Sequence, residues 1–265
     1  MTADSERLVP PPFSTLERDA YYWQQLDQIA EVREYSREDL MRNWSAYVMR
    51  RDLIRFIAHY ELFKQIVELP GCVIELGVYR GASFFTWGNL LETFCPFDRH
   101  RKVFGFDSFE GLKDFRPEDG ADTAGNVPRD ELAMRFPGAF LATEFEAQRL
   151  VEMHNADAMV QGTNRSSVIV GDIAETLPRF LDEHPGLRVS LVHFDVDLYE
   201  PTKLGLELLW PRLVCGGIMA FDEYAFLPWP GETRAVDEFF AGIGDAPVLR
   251  KFPFAQAPAY LVKGS

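Results

Sequence analysis

Basic residues are in short supply. The 265-residue chain has 27 Lys and Arg against 41 Asp and Glu, a formal net charge of -14. A field of that sign repels phosphate backbones, so neither a general nucleic-acid binder nor a binder of acidic membranes is expected. Cysteine is scarcer: Cys72, Cys95 and Cys215 show no paired spacing, and each lies in or beside an apolar segment. No disulfide framework is indicated, and buried free thiols in a reducing compartment are expected. No apolar run approaches the roughly 18 residues needed to cross a bilayer. Residues 1–13 are polar and then proline-rich, through Pro10, Pro11 and Pro12, without a signal-peptide core. A cytoplasmic protein is therefore expected. Familiar catalytic signatures are missing too. His59, His100, His154 and His184 form no His-Glu-x-x-His spacing, no serine sits in a nucleophile elbow, and no glycine loop carries Gly-Lys-Ser/Thr. Hydrolase and P-loop chemistry lack a foothold.

What is present is the material of a globular fold. An apolar share of 47% with 26% charged residues suits a chain long enough to bury a full core, as one large domain or one domain with an appendage. From residue 14 to about 69 the pattern is helical, with apolar residues at three- and four-residue steps: Leu40, Trp44, Tyr47 and Val48, then Leu53, Ile54, Ile57, Tyr60, Phe63 and Ile66. Ser14 with Glu17, and Ser36 with Asp39, mark helix starts. After Pro70-Gly71 short apolar runs alternate with helical stretches. Strands are predicted at 72–76, 103–106, 167–170, 189–194, 217–221, 247–251 and 259–262, and helices at 83–94, 174–183, 200–213 and 232–241. Apolar strands separated by helices predict a doubly wound, mostly parallel α/β sheet covered on both faces. The short link between the final two strands predicts a hairpin-like ending with one antiparallel edge strand. One connection is too long: more than fifty residues separate Phe109 from Ser166 where one crossover helix would suffice. Its first part is rich in Asp, Gly and Pro, while 143–159 reads as helix. Such insertions serve as lids or specificity loops, or are merely tolerated.

Three segments carry the chemistry. In Val73-Ile74-Glu75-Leu76-Gly77-Val78-Tyr79-Arg80-Gly81-Ala82-Ser83 a buried strand runs through a two-glycine turn into a helix, whose N-terminus offers N–H donors to an anionic group. The three-glycine dinucleotide pattern is not met. Glu75, ending an apolar strand, needs a partner: a ligand amine, a salt bridge or a loop amide would each serve. Asp107, followed by Ser108, ends the second strand, where doubly wound folds hold ribose hydroxyls; capping the next segment is the alternative. Asp172, followed by Ile173, ends the third. Most informative is His193-Phe194-Asp195-Val196-Asp197-Leu198-Tyr199-Glu200. Strand alternation puts Asp195 and Asp197 on one face, with His193 on the Asp195 side as a satisfied core histidine. Close carboxylates repel unless one is protonated or a cation lies between them. Asp222 and Glu223 end the following strand, and sequential parallel strands can be neighbours. Four acids at one sheet edge suit Mg²⁺, Mn²⁺ or Ca²⁺; solvated caps and salt bridges are the alternative.

These segments, with Phe106-Asp107-Ser108-Phe109-Glu110-Gly111-Leu112, Pro201-Thr202-Lys203, Pro211-Arg212-Leu213-Val214-Cys215-Gly216-Gly217 and Arg234-Ala235-Val236-Asp237-Glu238-Phe239, resemble the macrocin O-methyltransferase family in spaced blocks from about 72 to 240. The resemblance implies a seven-stranded class I methyltransferase fold, S-adenosylmethionine as methyl donor, a divalent metal (usually magnesium), and a sugar hydroxyl of a natural-product glycoside as acceptor. It places Glu75, Gly77 and Ser83 at the methionine part of the cofactor, with Tyr79, Arg80 and Gly81 in the same loop. Asp107 and Ser108 fall at the ribose, and Asp172 and Ile173 at the adenine. Asp195, Asp222 and Glu223 become metal ligands and Asp197 the base. The family usually has two aspartates where this chain has Asp222-Glu223. On this reading 1–69 is a helical extension, serving as a lid or as a surface for homo-oligomers, and 70–265 is the methyltransferase domain with an insertion at about 113–165. Phenol or catechol methylation uses similar chemistry. A non-catalytic protein that binds the cofactor is the alternative of a different kind.

Overall fold

Strands apolar on both faces must be covered on both faces. The computed structural model, which describes residues 16–32, 36–120, 137–244 and 246–264, has that layered form. Strands β1 (Cys72–Leu76), β2 (Val103–Asp107), β3 (Ser166–Val170), β4 (Val189–Phe194), β5 (Leu213–Phe221), β6 (Arg250–Lys251) and β7 (Ala259–Val262) form one seven-stranded sheet in the order β3-β2-β1-β4-β5-β7-β6. The first five run parallel, β7 is antiparallel to β5, and β6 is antiparallel to β7. The closing hairpin forms, but the antiparallel strand is not the edge. Buried Ala259, Tyr260 and Leu261 take the interior place, and the two exposed basic residues of β6 take the rim, where charge discourages further pairing.

Period-two alternation sends neighbouring residues to opposite cores. Ile74, Phe104, Val192 and Met219 pack against helices α7 (Ile173–Glu183), α8 (Tyr199–Leu209) and α9 (Pro230–Ile243). Their neighbours Val73, Val103, Leu191 and Ile218 pack against α4 (Arg50–Ile66), α5 (Ala82–Phe94) and α6 (Glu144–Ala156). Upstream lie α1 (Leu16–Val32), α2 (Arg37–Arg42) and α3 (Trp44–Tyr47). The expected capping box at Ser36 is formed, its hydroxyl accepting from the Asp39 N–H. The helix start read at Ser14 lies outside the described residues, as does part of the Asp/Gly/Pro-rich stretch.

Two features refine the segment reading. Helix α4 buries Ala58, His59, Leu62, Phe63 and Ile66 and covers the sheet as an ordinary layer helix. Helix α6, with Ala147 and Val151 buried in the same core, makes the crossover into β3, so the extra length precedes it. The expectation of three buried thiols holds at Cys72 and is corrected at the other two: Cys95 is half-buried, and Cys215, near the start of β5, is exposed. Among the described residues, no helix is long and apolar enough to cross a membrane.

Candidate active site

The order β2-β1-β4-β5 reverses direction between β1 and β4, and a doubly wound sheet opens its crevice there, beyond the carboxyl ends of the strands. A cavity of about 620 Å³ lies at that place, lined by Gly77, Asp107, Asp172, Asp195, Asp197, Asp222 and Glu223 among others. The volume is in the range of small-molecule and cofactor sites.

Close backbone approach shapes its floor. Gly77 has φ +86°, and a Cβ there would stand 1.8 Å from the Asp195 carbonyl oxygen. Only glycine lets the β1 turn pass the β4 turn. Gly77→Ala is expected to cost about 3 kcal/mol or more, combining left-handed strain with overlap. Chemical denaturation would measure this, and a wild-type midpoint would contradict it. Asp107 ties the same loop: one carboxylate oxygen accepts from the Val78 and Tyr79 N–H groups at 2.8 and 2.7 Å, the other from Phe109 N–H at 2.7 Å. The loop amides expected to be open to a ligand are thus partly spoken for by Asp107.

Of the ten residues placed at the cofactor, Gly77, Tyr79, Ser83, Asp107, Ser108, Asp172 and Ile173 line the cavity. Asp172 also caps α7, accepting from Ala174 N–H, and pairs with Lys113 at 3.4 Å. Gly81 is the left-handed N-cap of α5 behind the wall, and the Arg80 side chain points to Glu146 at 3.2 Å. Glu75, placed by the resemblance at the cofactor, does not line the cavity. Glu75 is fully buried, with Ser83 Oγ donating at 3.0 Å, Trp87 Nε1 at 2.7 Å and His193 Nδ1 at 2.9 Å. The partner of this strand-end acid comes from within the protein, and Ser83 stands between it and the cavity.

The acids gather, though not by strand alternation. β4 ends at Phe194, and Asp197 sits at φ +60° in a tight turn closed by Leu198 N–H to Val196 C=O at 2.6 Å. Asp195 still follows the β1–β4 ladder, its N–H donating to the Leu76 carbonyl at 2.9 Å, whereas the turn brings Asp197 to the cavity wall. Asp195, Asp222 and Glu223 each offer a carboxylate oxygen within 4.8 Å of the others. Burial and the charge of Asp222 raise Asp195 to about 6, against the pull of Arg55 and His193. Burial would also raise Asp222, but Arg55 and His193 hold it down to about 2. Burial first, then neighbouring carboxylates, push Asp197, Glu223 and Glu232 well above the usual range. Glu223 is fixed through its N–H, which donates to Glu232 at 2.8 Å.

Of the two cations that face these acids, the sequence pattern marks His193 but not Arg55. Arg55 Nη2 lies 2.6 Å from Asp195 Oδ2 and 3.0 Å from Asp222 Oδ2. His193 bridges beneath, Nδ1 on Glu75 and Nε2 3.6 Å from Asp222, with the His59 ring 5.1 Å away. Burial alone would lower His193, yet the flanking Asp222 and Glu75 raise it to about 10, while burial leaves His59 well below its ordinary value. The segment after β2 adds Lys113, Asp114, Arg116 and Phe140 to the wall.

The donor set suits a hard dication. The carboxylates outnumber their cations, and Asp222 Oδ1 and Glu223 Oε2 are buried without a hydrogen-bond partner. The cavity wall also carries Asp172, Asp107, Gly77 and Ser83, which offer a nucleoside with a charged tail both acids and close backbone approach.

The sheet, its two helical layers and this crevice are those of the class I methyltransferases. The calicheamicin methyltransferase CalS11 superposes with a TM-score of 0.80 at 31% identity, covering 94% of this chain and 93% of that one. The O-methyltransferase NovP shares the fold, with a TM-score of 0.60 at 24% identity over 80% of each chain. The model of the macrocin-O-methyltransferase (TylF) family matches residues 61–244, and the chain belongs to that family. A Streptomyces olivaceus 8-demethyl-8-(2,3-dimethoxy-alpha-L-rhamnosyl)-tetracenomycin-C 4'-O-methyltransferase is 34% identical over 157 residues, 59% of this chain and 54% of that protein. A Streptomyces niveus demethyldecarbamoylnovobiocin O-methyltransferase is 30% identical over 191 residues, 70% of this chain and 66% of that protein. The matched region thus spans between about half and two thirds of these relatives' length. Family and fold support S-adenosylmethionine as the ligand of the cavity.

Proposed function

We propose that the protein is an S-adenosylmethionine-dependent, divalent-metal-assisted O-methyltransferase whose acceptor is a sugar hydroxyl of a natural-product glycoside. The observation that carries this reading is the meeting of Asp195, Asp197, Asp222 and Glu223 on the wall of the cavity that Gly77, Asp107 and Asp172 also line. Relatives named for methylating rhamnosyl groups favour a sugar over a phenol.

An alcohol is a weak nucleophile near neutral pH, and its proton must go as the new bond forms. When bound, the donor supplies an electrophilic methyl carbon and the dication a Lewis acid for the developing alkoxide. Asp195, Asp222 and Glu223 would hold the cation. Gly77, Tyr79, Ser83, Asp107 and Asp172 would hold the donor along the crevice. Asp197 takes the hydroxyl proton while the oxygen–carbon bond forms and the carbon–sulfur bond breaks, leaving a neutral thioether. Arg55, Lys113 and Phe140 complete the cavity wall, within which positioning of the two substrates would set the in-line approach.

The test is methyl transfer from labelled S-adenosylmethionine to a panel of rhamnosides and dihydroxyphenyl compounds, with and without chelator. Chelator-sensitive labelling of a glycoside is expected. Turnover of the phenols alone would reassign the acceptor, and tight cofactor binding with no transfer to any acceptor would leave a binding protein.

A further inference from the structure

We propose that Arg55 is the resident counter-ion of the acid cluster: without metal its guanidinium occupies the two aspartate oxygens that a dication would take, and cation binding displaces it into the cavity. The inference rests on the reading of Asp195 and Asp222 as cation ligands. A single nitrogen, Nη2, stands between Asp195 Oδ2 and Asp222 Oδ2 at 2.6 and 3.0 Å. That is the position of a point cation between two carboxylates. A metal bound through the same oxygens, at about 2.0–2.6 Å, would leave no room for the guanidinium and would repel it.

Arg55 is also free to leave. Its side chain is 42% exposed, and its Nε is buried without a partner. Among the described residues, its hydrogen bonds and ion pairs go only to those two aspartates. The buried arginines elsewhere are held differently. Arg101 donates to the carbonyls of Gly71, Val67 and Ile66, and Arg165 to those of Cys95 and Pro96 with Glu92 beside it. Those two are locked to backbone; Arg55 is held by acids alone. Its helix need not move, because Leu62, Phe63 and Ile66 anchor α4 in the core about two to three turns further on.

The experiment is a Mn²⁺ titration, followed by electron paramagnetic resonance, of wild type and Arg55→Gln without acceptor. Removing a charge-assisted contact that competes for the same oxygens should tighten Mn²⁺ by about tenfold or more. Equal or weaker affinity in the variant would overturn the counter-ion role while leaving the cation reading intact. Absence of Mn²⁺ from both proteins would remove the cation reading, and this inference with it. Phenylglyoxal labelling of wild type, read at Arg55 by mass spectrometry, needs no variant to fold. Added Mg²⁺ should speed labelling several-fold, and unchanged or slower labelling would overturn displacement.

Discussion

Asp222→Asn is expected to lower kcat/KM for methyl transfer by about 10³-fold or more, roughly 4 kcal/mol of transition-state stabilisation, because it removes a charge from the centre of the cluster. Asp222 is where three demands meet. Its N–H is fixed to the Phe194 carbonyl at 3.1 Å, one oxygen faces Arg55, and the other faces His193. It is also the acid of the cluster kept ionised most firmly, held at about 2 by Arg55 and His193 against the opposite push of burial. Asparagine keeps the shape and supplies one neutral oxygen. Affinity for a dication should therefore fall with the rate, and a Mn²⁺ titration of the same preparation would read it. Near-wild-type turnover with unchanged metal response would remove Asp222 from the site. An intact far-ultraviolet circular dichroism spectrum would separate this loss from unfolding, since the change leaves Arg55 and His193 facing a neutral group.

The contrast between Asp222 and Arg55 shows what a linear sequence exposes. Buried parallel strands are short apolar runs with glycines or acids at their ends, so β1, β4 and β7 could be read to the residue and the others to within a few. The acids sit at those ends because a doubly wound sheet presents its strand termini to one crevice. Arg55 lies 140 residues before Asp195 on a helix whose apolar stripe advertises only its buried side. Nothing local marks which of its polar residues will cross the sheet edge. His59 and His193 likewise meet only because α4 packs over β4 and β5, and no ligand spacing links them. Asp119 is a third case. It accepts from the N–H groups of Tyr199 and Arg116, both at 2.7 Å, and so pins the segment after β2 beside the Asp197 turn. In sequence it is one acid in a stretch rich in Asp, Gly and Pro. Glu75 is the reverse case. Its strand-end position invites a ligand, but Trp87 and His193 were already aimed at it from two other elements.

The tight turn at Asp197 allows a sharper question about proton transfer. A non-glycine residue at φ +60° costs backbone energy, and such strain gathers where geometry matters more than stability. Asparagine tolerates the left-handed region better than almost any other side chain. Asp197→Asn therefore keeps the turn and the volume while removing the carboxylate that would accept a proton. Loss of a positioned general base is worth about 10²- to 10⁴-fold in rate. The fall should lie in kcat, with affinity for S-adenosylmethionine and for Mn²⁺ close to wild type, because Asp197 is not among the three acids whose oxygens converge. Asp197→Ala should lose the same rate and also stability, since alanine resists positive φ. If asparagine at this position retained most of the turnover, the proton would have to leave by another group. Asp195 would then be the next candidate, as the acid raised only to about 6 on the same wall. A Mn²⁺ affinity that collapsed along with the rate would instead make Asp197 a cation ligand, and the division of labour among the four acids would have to be redrawn.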